Sequence, residues 1–343
     1  MSTETGKRVV VTGATGNAGT SVVAALAADP GVSSVLGLAR RRPAWSPPKT
    51  EWAAVDLRRE TDLVEHFQGA DAVIHLAWAF RPTHDPRATW RTNVLGSLQV
   101  FRDVAAAGVP ALIHASSVGA YSPGPKSGEN AVAESWPTHG ASGASYCREK
   151  AYLERVLDTF ELRHPGVRVV RMRPAFLFKE EAASEQRRIF GGRFLPGPLV
   201  RPGLLPAVPD IPGLRFQALH TDDAARAYAL AATQDVSGAF NLAADPPLDA
   251  HRLAGLLGAR VVRVPRPAVR AALVAGWTLG LVPASPQLFD AVLRLPLMDC
   301  TRARVELGWR PEHSSLDAVG ELLRGVRRGS GMETEPLAGH KAS

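Results

Sequence analysis

Tyr146 and Lys150, in the run Tyr146-Cys147-Arg148-Glu149-Lys150, are the residues whose types and spacing most directly suggest chemistry. Four positions apart, they share one face of a helix. A free phenol titrates near pH 10 and is a poor acid or base at neutral pH, but a nearby ammonium stabilises the phenolate and lowers its pKa. The pair therefore reads as a device for passing a proton to or from a reacting oxygen. A second candidate is the run Ala115-Ser116-Ser117-Val118-Gly119-Ala120-Tyr121, directly after an apolar segment. A serine at the end of a strand can hydrogen-bond a substrate oxygen and steady charge on it.

These groups need a scaffold, and the chain alternates short β-branched runs with amphipathic ones from Arg8 onward, the pattern of βαβ units and a parallel sheet. Strands are expected at 8–12, 34–39, 52–55, 72–77, 111–116 and 167–173, with helices at 18–28, 61–67, 88–107 and 142–163. The fold class is α/β: a Rossmann-type doubly wound parallel sheet of about six strands, with a smaller, mostly helical C-terminal substrate lobe. The Rossmann domain is placed at 1–175 and the lobe at 176–328, with 216–243 partly returning to the sheet. A Gly-, Pro- and Arg-rich stretch at 178–214 reads as an irregular cap. The stretch 329–343 lacks apolar periodicity and is expected to be disordered.

The first strand runs into Thr12-Gly13-Ala14-Thr15-Gly16-Asn17-Ala18-Gly19. Gly13 permits a tight turn, Gly16 lets the backbone approach a pyrophosphate, and Gly19 lets the following helix pack on the strand. The helix N-terminus then offers free N–H groups and a positive dipole end to the phosphates. The second strand ends Ala39-Arg40-Arg41-Arg42, with no carboxylate to grip a ribose. Arg40 is placed to meet a 2′-phosphate, so NADP is favoured, with NAD possible. Asp56 is positioned to accept from an adenine amino group.

Composition excludes several classes. With 343 residues, 45% of them hydrophobic, the chain can build a sizeable core. The net charge of +7 comes from arginines dispersed along the chain, without a basic stripe or interleaved aromatics, so no nucleic-acid partner is expected. The opening residues lack a secretory pattern, and a cytoplasmic protein is expected. The stretch Ala271 to Val282 is too short to span a bilayer and reads as a core helix, so no membrane partner is expected. Cys147 and Cys300 make neither a disulfide framework nor a metal cluster, and no metal site is expected. His75 and His114 fall inside strands as buried, satisfied imidazoles, and Asp222 and Asp223 read as helix N-caps.

In combination these segments resemble the extended short-chain dehydrogenase/reductases, the branch that includes nucleotide-sugar epimerases and dehydratases. The resemblance runs from Val9 to Leu242, with a weaker echo at 299–304 and 307–311. It implies a dinucleotide held by Gly13, Thr15, Gly16, Asn17, Ala18 and Gly19, by Asp56 and Leu57 of VDLRR, by Leu76 and Ala77 of HLAW, and by Pro174 after Arg173. Asn93 of NVLGS stands where the family has a helix Asn beside the active site, and Lys150 contacts the nicotinamide ribose. Ser117, four residues before Tyr121, aligns with the catalytic hydroxyl in preference to Ser116, and HTDD at 220–223 matches a lobe motif. In the reducing direction Tyr146 protonates the alkoxide, Ser117 steadies it and Lys150 tunes the tyrosine. Relatives that take nucleotide sugars carry Asn and Arg where this chain has Phe176 and Phe216. A small or hydrophobic carbonyl or alcohol substrate is therefore favoured. The leading expectation is a ketoreductase or alcohol dehydrogenase, with an epimerase or dehydratase as the alternative and a non-catalytic dinucleotide-binding regulator as a third reading. A homodimer through helices at 94–104 and 146–156 is also implied.

Overall fold

The computed structural model describes residues 6–59, 62–80, 85–125, 130–191, 206–282 and 285–338. The cap arginines Arg193 and Arg201 lie outside them. Six strands come first: β1 (Lys7–Thr12), β2 (Val32–Ala39), β3 (Thr50–Ala54), β4 (Ala72–His75), β5 (Ala111–Ala115) and β6 (Arg168–Pro174). The lobe contributes β7 (Phe176–Phe178), β8 (Ala207–Asp210), β9 (Ala218–His220), β10 (Gly238–Leu242) and β11 (Arg260–Arg263). Seven of these form one parallel sheet in the order β10-β6-β5-β4-β1-β2-β3. The seventh, β10, pairs with β6 through Phe240↔Met172 and brings the lobe back to the sheet.

The alternation along β1 explains why both faces are covered. Val9 and Val11 pack with Val22, Val23 and Leu26 in one apolar layer, while Val10 packs with Val100, Val104, Leu153 and Leu157 in the other. All three valines are fully buried, worth about 1.5–3 kcal/mol each by transfer from water. The covering helices are α1 (Asn17–Ala28), α2 (Val64–Phe67), α3 (Pro86–Trp90), α4 (Gly96–Ala106) and α5 (Ser145–Arg163). The expected single helix at 88–107 is interrupted: residues 91–95 form one π turn between α3 and α4. Strand order reverses between β1 and β4, which opens a crevice at the carboxyl edge of the sheet.

In the lobe, β7 pairs with β9 and β8 with β11. Its helices are α6 (Ala183–Gln186), α7 (Thr221–Thr233), α8 (Ala250–Leu257), α9 (Arg266–Thr278), α10 (Pro286–Val292), α11 (Thr301–Glu306) and α12 (Ser315–Arg328). The expected core helix at 271–282 is not one, since α9 buries no residue. Nor do Asp222 and Asp223 cap α7. His220 does, accepting from the Asp222 N–H, while Asp223 receives the His313 N–H and the Arg226 guanidinium. His220 also bonds Glu321 at 2.8 Å and stacks on His313, and the Trp309 indole donates to the Asp223 carbonyl. The HTDD motif thus pins α7 to α12 and to the buried Trp309.

The 329–338 stretch, expected to be disordered, is packed. Thr334 and Leu337 are buried, and Ser184 donates to the carbonyls of Gly329 and Ser330. Two apolar or uncharged anchors and local hydrogen bonds suffice to order it, a signal too short to register as periodicity.

Candidate active site

The turn after β1 has the shape that its glycines require. Gly13 has φ +68°, and a Cβ there would come within 2.6 Å of the Ala77 backbone. A Cβ on Gly19 would meet the Gly13 carbonyl oxygen at 2.2 Å, so only glycine lets α1 seat on the turn. Gly16 is the N-cap of α1, makes no side-chain cap, and would place a Cβ in ordinary contact with the Gly13 carbonyl oxygen at 3.5 Å. A cradle of this form, with an uncapped helix N-terminus at its floor, fits a pyrophosphate. The side chain of Asn17 is engaged elsewhere, donating to Leu177 and accepting from Thr221, so it holds the lobe against the turn. Ala18 follows it in the first turn of α1, and Leu76 and Ala77 leave β4 beside Gly13.

At the end of β2, Arg40, Arg41 and Arg42 are exposed. Asp56 is bound by Arg58 through Nε at 2.9 Å and Nη2 at 2.5 Å, and this pairing lowers its pKa to about 2. Its carboxylate is therefore already engaged by Arg58. Leu57 lies against Gly96, and Pro174 ends β6 opposite Leu242.

Ser117 and Tyr146 meet. The Ser117 side chain lies near enough to the Tyr146 phenol to lower its pKa, and it accepts from the Gly119 N–H at 3.0 Å. A Cβ on Gly119 would fall 2.8 Å from the Tyr146 ring, so the glycine in ASSVGAY makes room for the tyrosine. Ser116 points away and donates to the buried Glu154 at 2.5 Å. Glu154 also receives Arg171 and Arg173, and Arg173 reaches the Tyr121 hydroxyl, which donates to Asn241. Ser116 and Tyr121 thus belong to a structural network behind the site.

Lys150 is oriented differently from the sequence reading. Its ammonium donates to the Ala115 carbonyl at 2.5 Å and sits 3.5 Å from the centroid of the Trp78 ring. Burial lowers its pKa to about 7, against which Glu149 and Glu154 pull upward. Burial pushes the Tyr146 phenol above its ordinary range, Ser117 draws it down, and Cys147 and Glu149 raise it further. Ser117 is here the group that eases ionisation of the phenol.

The sequence reading missed four neighbours. Trp78 and Phe80 stand edge-on to Tyr146, with centroids at 5.8 and 5.0 Å. Glu149 is buried and accepts from Thr89 at 2.6 Å and from Asn93 at 2.8 Å. Asn93 lies in the π turn and also exchanges two hydrogen bonds with Ala79, which fixes the segment after β4 that carries Trp78 and Phe80. Together with Ala144, Ser145, Ser285 and Leu288 these residues line an open pocket at Tyr146. The apolar run after β4 and the acid inside the Tyr–Lys helix were the available signals.

Three expectations are corrected. Phe176 and Phe216 do not line this pocket; they pack edge to face at 5.3 Å against Leu248, Leu316 and Leu322 in the lobe's own core. His75 is satisfied by Thr12 and Ser97, but neither ring nitrogen of the buried His114 has a partner. Lys150 turns its ammonium to the Ala115 carbonyl and the Trp78 ring. Both cysteines are free and buried. Among the described residues there is no cluster of three potential metal ligands, and no helix is long and apolar enough to cross a membrane.

A parallel α/β sheet with a glycine turn at its switch point and a Ser–Tyr–Lys group at its carboxyl edge defines a dinucleotide-binding enzyme fold. The sequence profile of the NAD dependent epimerase/dehydratase family matches residues 9–243, and the chain belongs to that family. The "Uncharacterized protein Rv2047c" of Mycobacterium tuberculosis is 26% identical over 322 residues, covering 93% of this chain and 30% of that protein. The chain thus spans less than a third of that relative. The L-arabinose 1-dehydrogenase (NAD(P)(+)) of Haloferax volcanii is 33% identical over 110 residues, 32% of this chain and 41% of that enzyme. Among solved structures, MoeE5 in complex with UDP-glucuronic acid and NAD superposes with a TM-score of 0.69 at 21% identity, covering 94% of this chain and 99% of that one.

Proposed function

We propose that the chain is an enzyme that oxidises and reduces a secondary alcohol carbon of a sugar or sugar nucleotide, with Tyr146 as acid and base. The observation that carries this reading is the Tyr146 phenol, with Ser117 beside it, in a pocket lined by both aromatic rings and polar groups. A sugar ring has an apolar C–H face and an edge of hydroxyls. Trp78 and Phe80 suit the face, while Glu149, Thr89, Ser145 and Ser285 suit the edge. The partners of the relatives point the same way, since one is bound to UDP-glucuronic acid and another is named for arabinose. This moves the substrate from the apolar carbonyl favoured by the sequence toward the alternative, and the inward packing of Phe176 and Phe216 removes the main argument for the former.

A dinucleotide bound there would supply and take back the hydride. Gly13, Thr15, Gly16, Asn17, Ala18 and Gly19 would hold its pyrophosphate, and Leu76, Ala77 and Pro174 would line it. Arg40, exposed at the end of β2, favours NADP over NAD. The chain's own residues do the proton chemistry. Ser117 orients the phenol, Tyr146 exchanges a proton with the substrate oxygen, and Lys150 places a cation behind the phenol when its contact with Trp78 is released. Asn93 and Glu149 hold the helix that carries Tyr146 and Lys150 against the segment that carries Trp78. Trp90, Leu95 and Tyr152, exposed on adjoining helices, offer a face for a homodimer.

The test supplies the protein with UDP- and dTDP-sugars, free pentoses and a ketone panel, with each dinucleotide, and follows both product and reduced-nicotinamide absorbance. Sugar turnover, with or without net absorbance change, is expected, the former marking a dehydrogenase and the latter an epimerase or dehydratase. Turnover of ketones alone would restore the apolar-carbonyl reading. Tyr146→Phe should lower kcat by at least about 100-fold; unchanged turnover would remove the assignment of the acid.

A further inference from the structure

The segment 330–338 crosses the cradle described above. After α12 the chain turns at Gly329, is held by Ser184, and passes Arg188, which donates to the carbonyls of Pro336 and Ala338. It then reaches the glycine turn. Thr334, 1% exposed, donates its hydroxyl to the Thr15 carbonyl at 3.1 Å, and the next residue, Glu335, pairs with Arg41 at 3.3 Å. Met332 N–H donates to Leu337 and Ala338 N–H to Thr334, closing a small ring with Leu337 fully buried inside. Thr15 itself is only 8% exposed, whereas Gly16, Asn17 and Ala18 beside it are half-buried.

These contacts join the two ends of the adenosine-diphosphate half of a Rossmann site. The pyrophosphate lies on the glycine turn, and the adenosine ribose lies at the end of the second strand. A segment bonded to Thr15 at one residue and to Arg41 at the next spans that interval. The side chain it sets against the arginine cluster is a carboxylate, an anion where a 2′-phosphate would go. We propose that residues 333–337 form an autoinhibitory strap that occupies the adenosine half of the cofactor site and must leave for a dinucleotide to bind. The inference rests on the reading that this site takes a dinucleotide. Arg188 holds the far side of the strap through the carbonyls of Pro336 and Ala338.

The strap acts as a competing ligand tethered to the site. If it is seated in nine molecules of ten, the apparent Kd is weakened about tenfold. The test titrates NADP and NAD into the full chain and into a variant carrying Thr334→Gly, Glu335→Ala and Leu337→Gly. NADP binding should tighten about tenfold in the variant, and Glu335→Ala alone should tighten NADP more than NAD. Unchanged or weaker binding in both variants would overturn the strap. Hydrogen exchange on the unaltered chain gives a second reading: NADP should speed exchange of the Met332 and Ala338 amides. Slower exchange would mean that the segment closes over the cofactor, and would equally overturn it. Absence of dinucleotide binding in every variant would overturn the cofactor reading and the strap with it.

Discussion

Replacing Lys150 by methionine, which keeps the length and removes the charge, should make the protein's stability respond differently to pH. The ammonium is buried and has no carboxylate bonded to it; its partners are the Ala115 carbonyl and the face of Trp78. Burial takes its pKa from 10.5 to about 7. A folded-state pKa below the unfolded one means that the unfolded chain binds more protons between these values, so stability rises with pH across that window. The full cost, present below about pH 7, is about 5 kcal/mol. Between about pH 6.5 and pH 9.5 the native chain should therefore gain about 3 kcal/mol relative to Lys150→Met, which has nothing to titrate there. The lost hydrogen bond sets a constant offset of about 1–3 kcal/mol against the variant and leaves this difference untouched. Urea unfolding of both proteins at the two pH values measures it, and comparing the two cancels the other titrating groups. Parallel pH profiles would refute the reasoning, because they would show that the ammonium keeps its charge in the fold without penalty.

Two further outcomes follow from other groups. Glu154 is fully buried between Arg171, Arg173 and Ser116, so Glu154→Leu leaves two guanidiniums without their shared carboxylate. It should cost about 3–5 kcal/mol in chemical denaturation, and a loss under 1 kcal/mol would show that Asp158 and Glu161 satisfy the arginines alone. Arg40→Ala should raise the Kd for NADP about tenfold, through one lost charged hydrogen bond, and leave NAD unchanged. Equal effects on both dinucleotides would remove the 2′-phosphate reading.

The parts of the site that depend on local spacing were legible in the sequence. The glycine turn, the Ser117 strand end and the Tyr146 helix are each written in a few adjacent residues, and the parallel sheet brings their carboxyl ends together whatever the loops do. What depends on side-chain direction was not legible. Lys150 shares a helical face with Tyr146, yet Trp78 supplies a ring that draws its ammonium aside, and a single indole after a strand gives no sign of where it turns. Phe176 and Phe216 stand at substrate-contacting positions of the family pattern. They were misread because two neighbouring aromatic rings satisfy one another in a core as readily as they line a pocket. Glu149 has no distinguishing local pattern, and its burial follows only once Thr89 and Asn93 converge on it. Thr334 and Leu337 anchor the strap across more than 300 residues of separation from Thr15, which no local pattern encodes.

The π turn at 91–95 makes the site sensitive to helix length. Thr89, Asn93 and Ser97 recur every fourth residue and bond, in turn, Glu149, Glu149 with Ala79, and His75. In a regular α-helix each such step overshoots a full turn by about 40°, so three successive groups would fan out and the last would miss the sheet. The wider turn absorbs that overshoot and keeps them in one line. The interruption therefore acts as a vernier between a helix and the strands beneath it, and removing a single residue from it would misalign a row of polar contacts while leaving the helix itself longer and more regular.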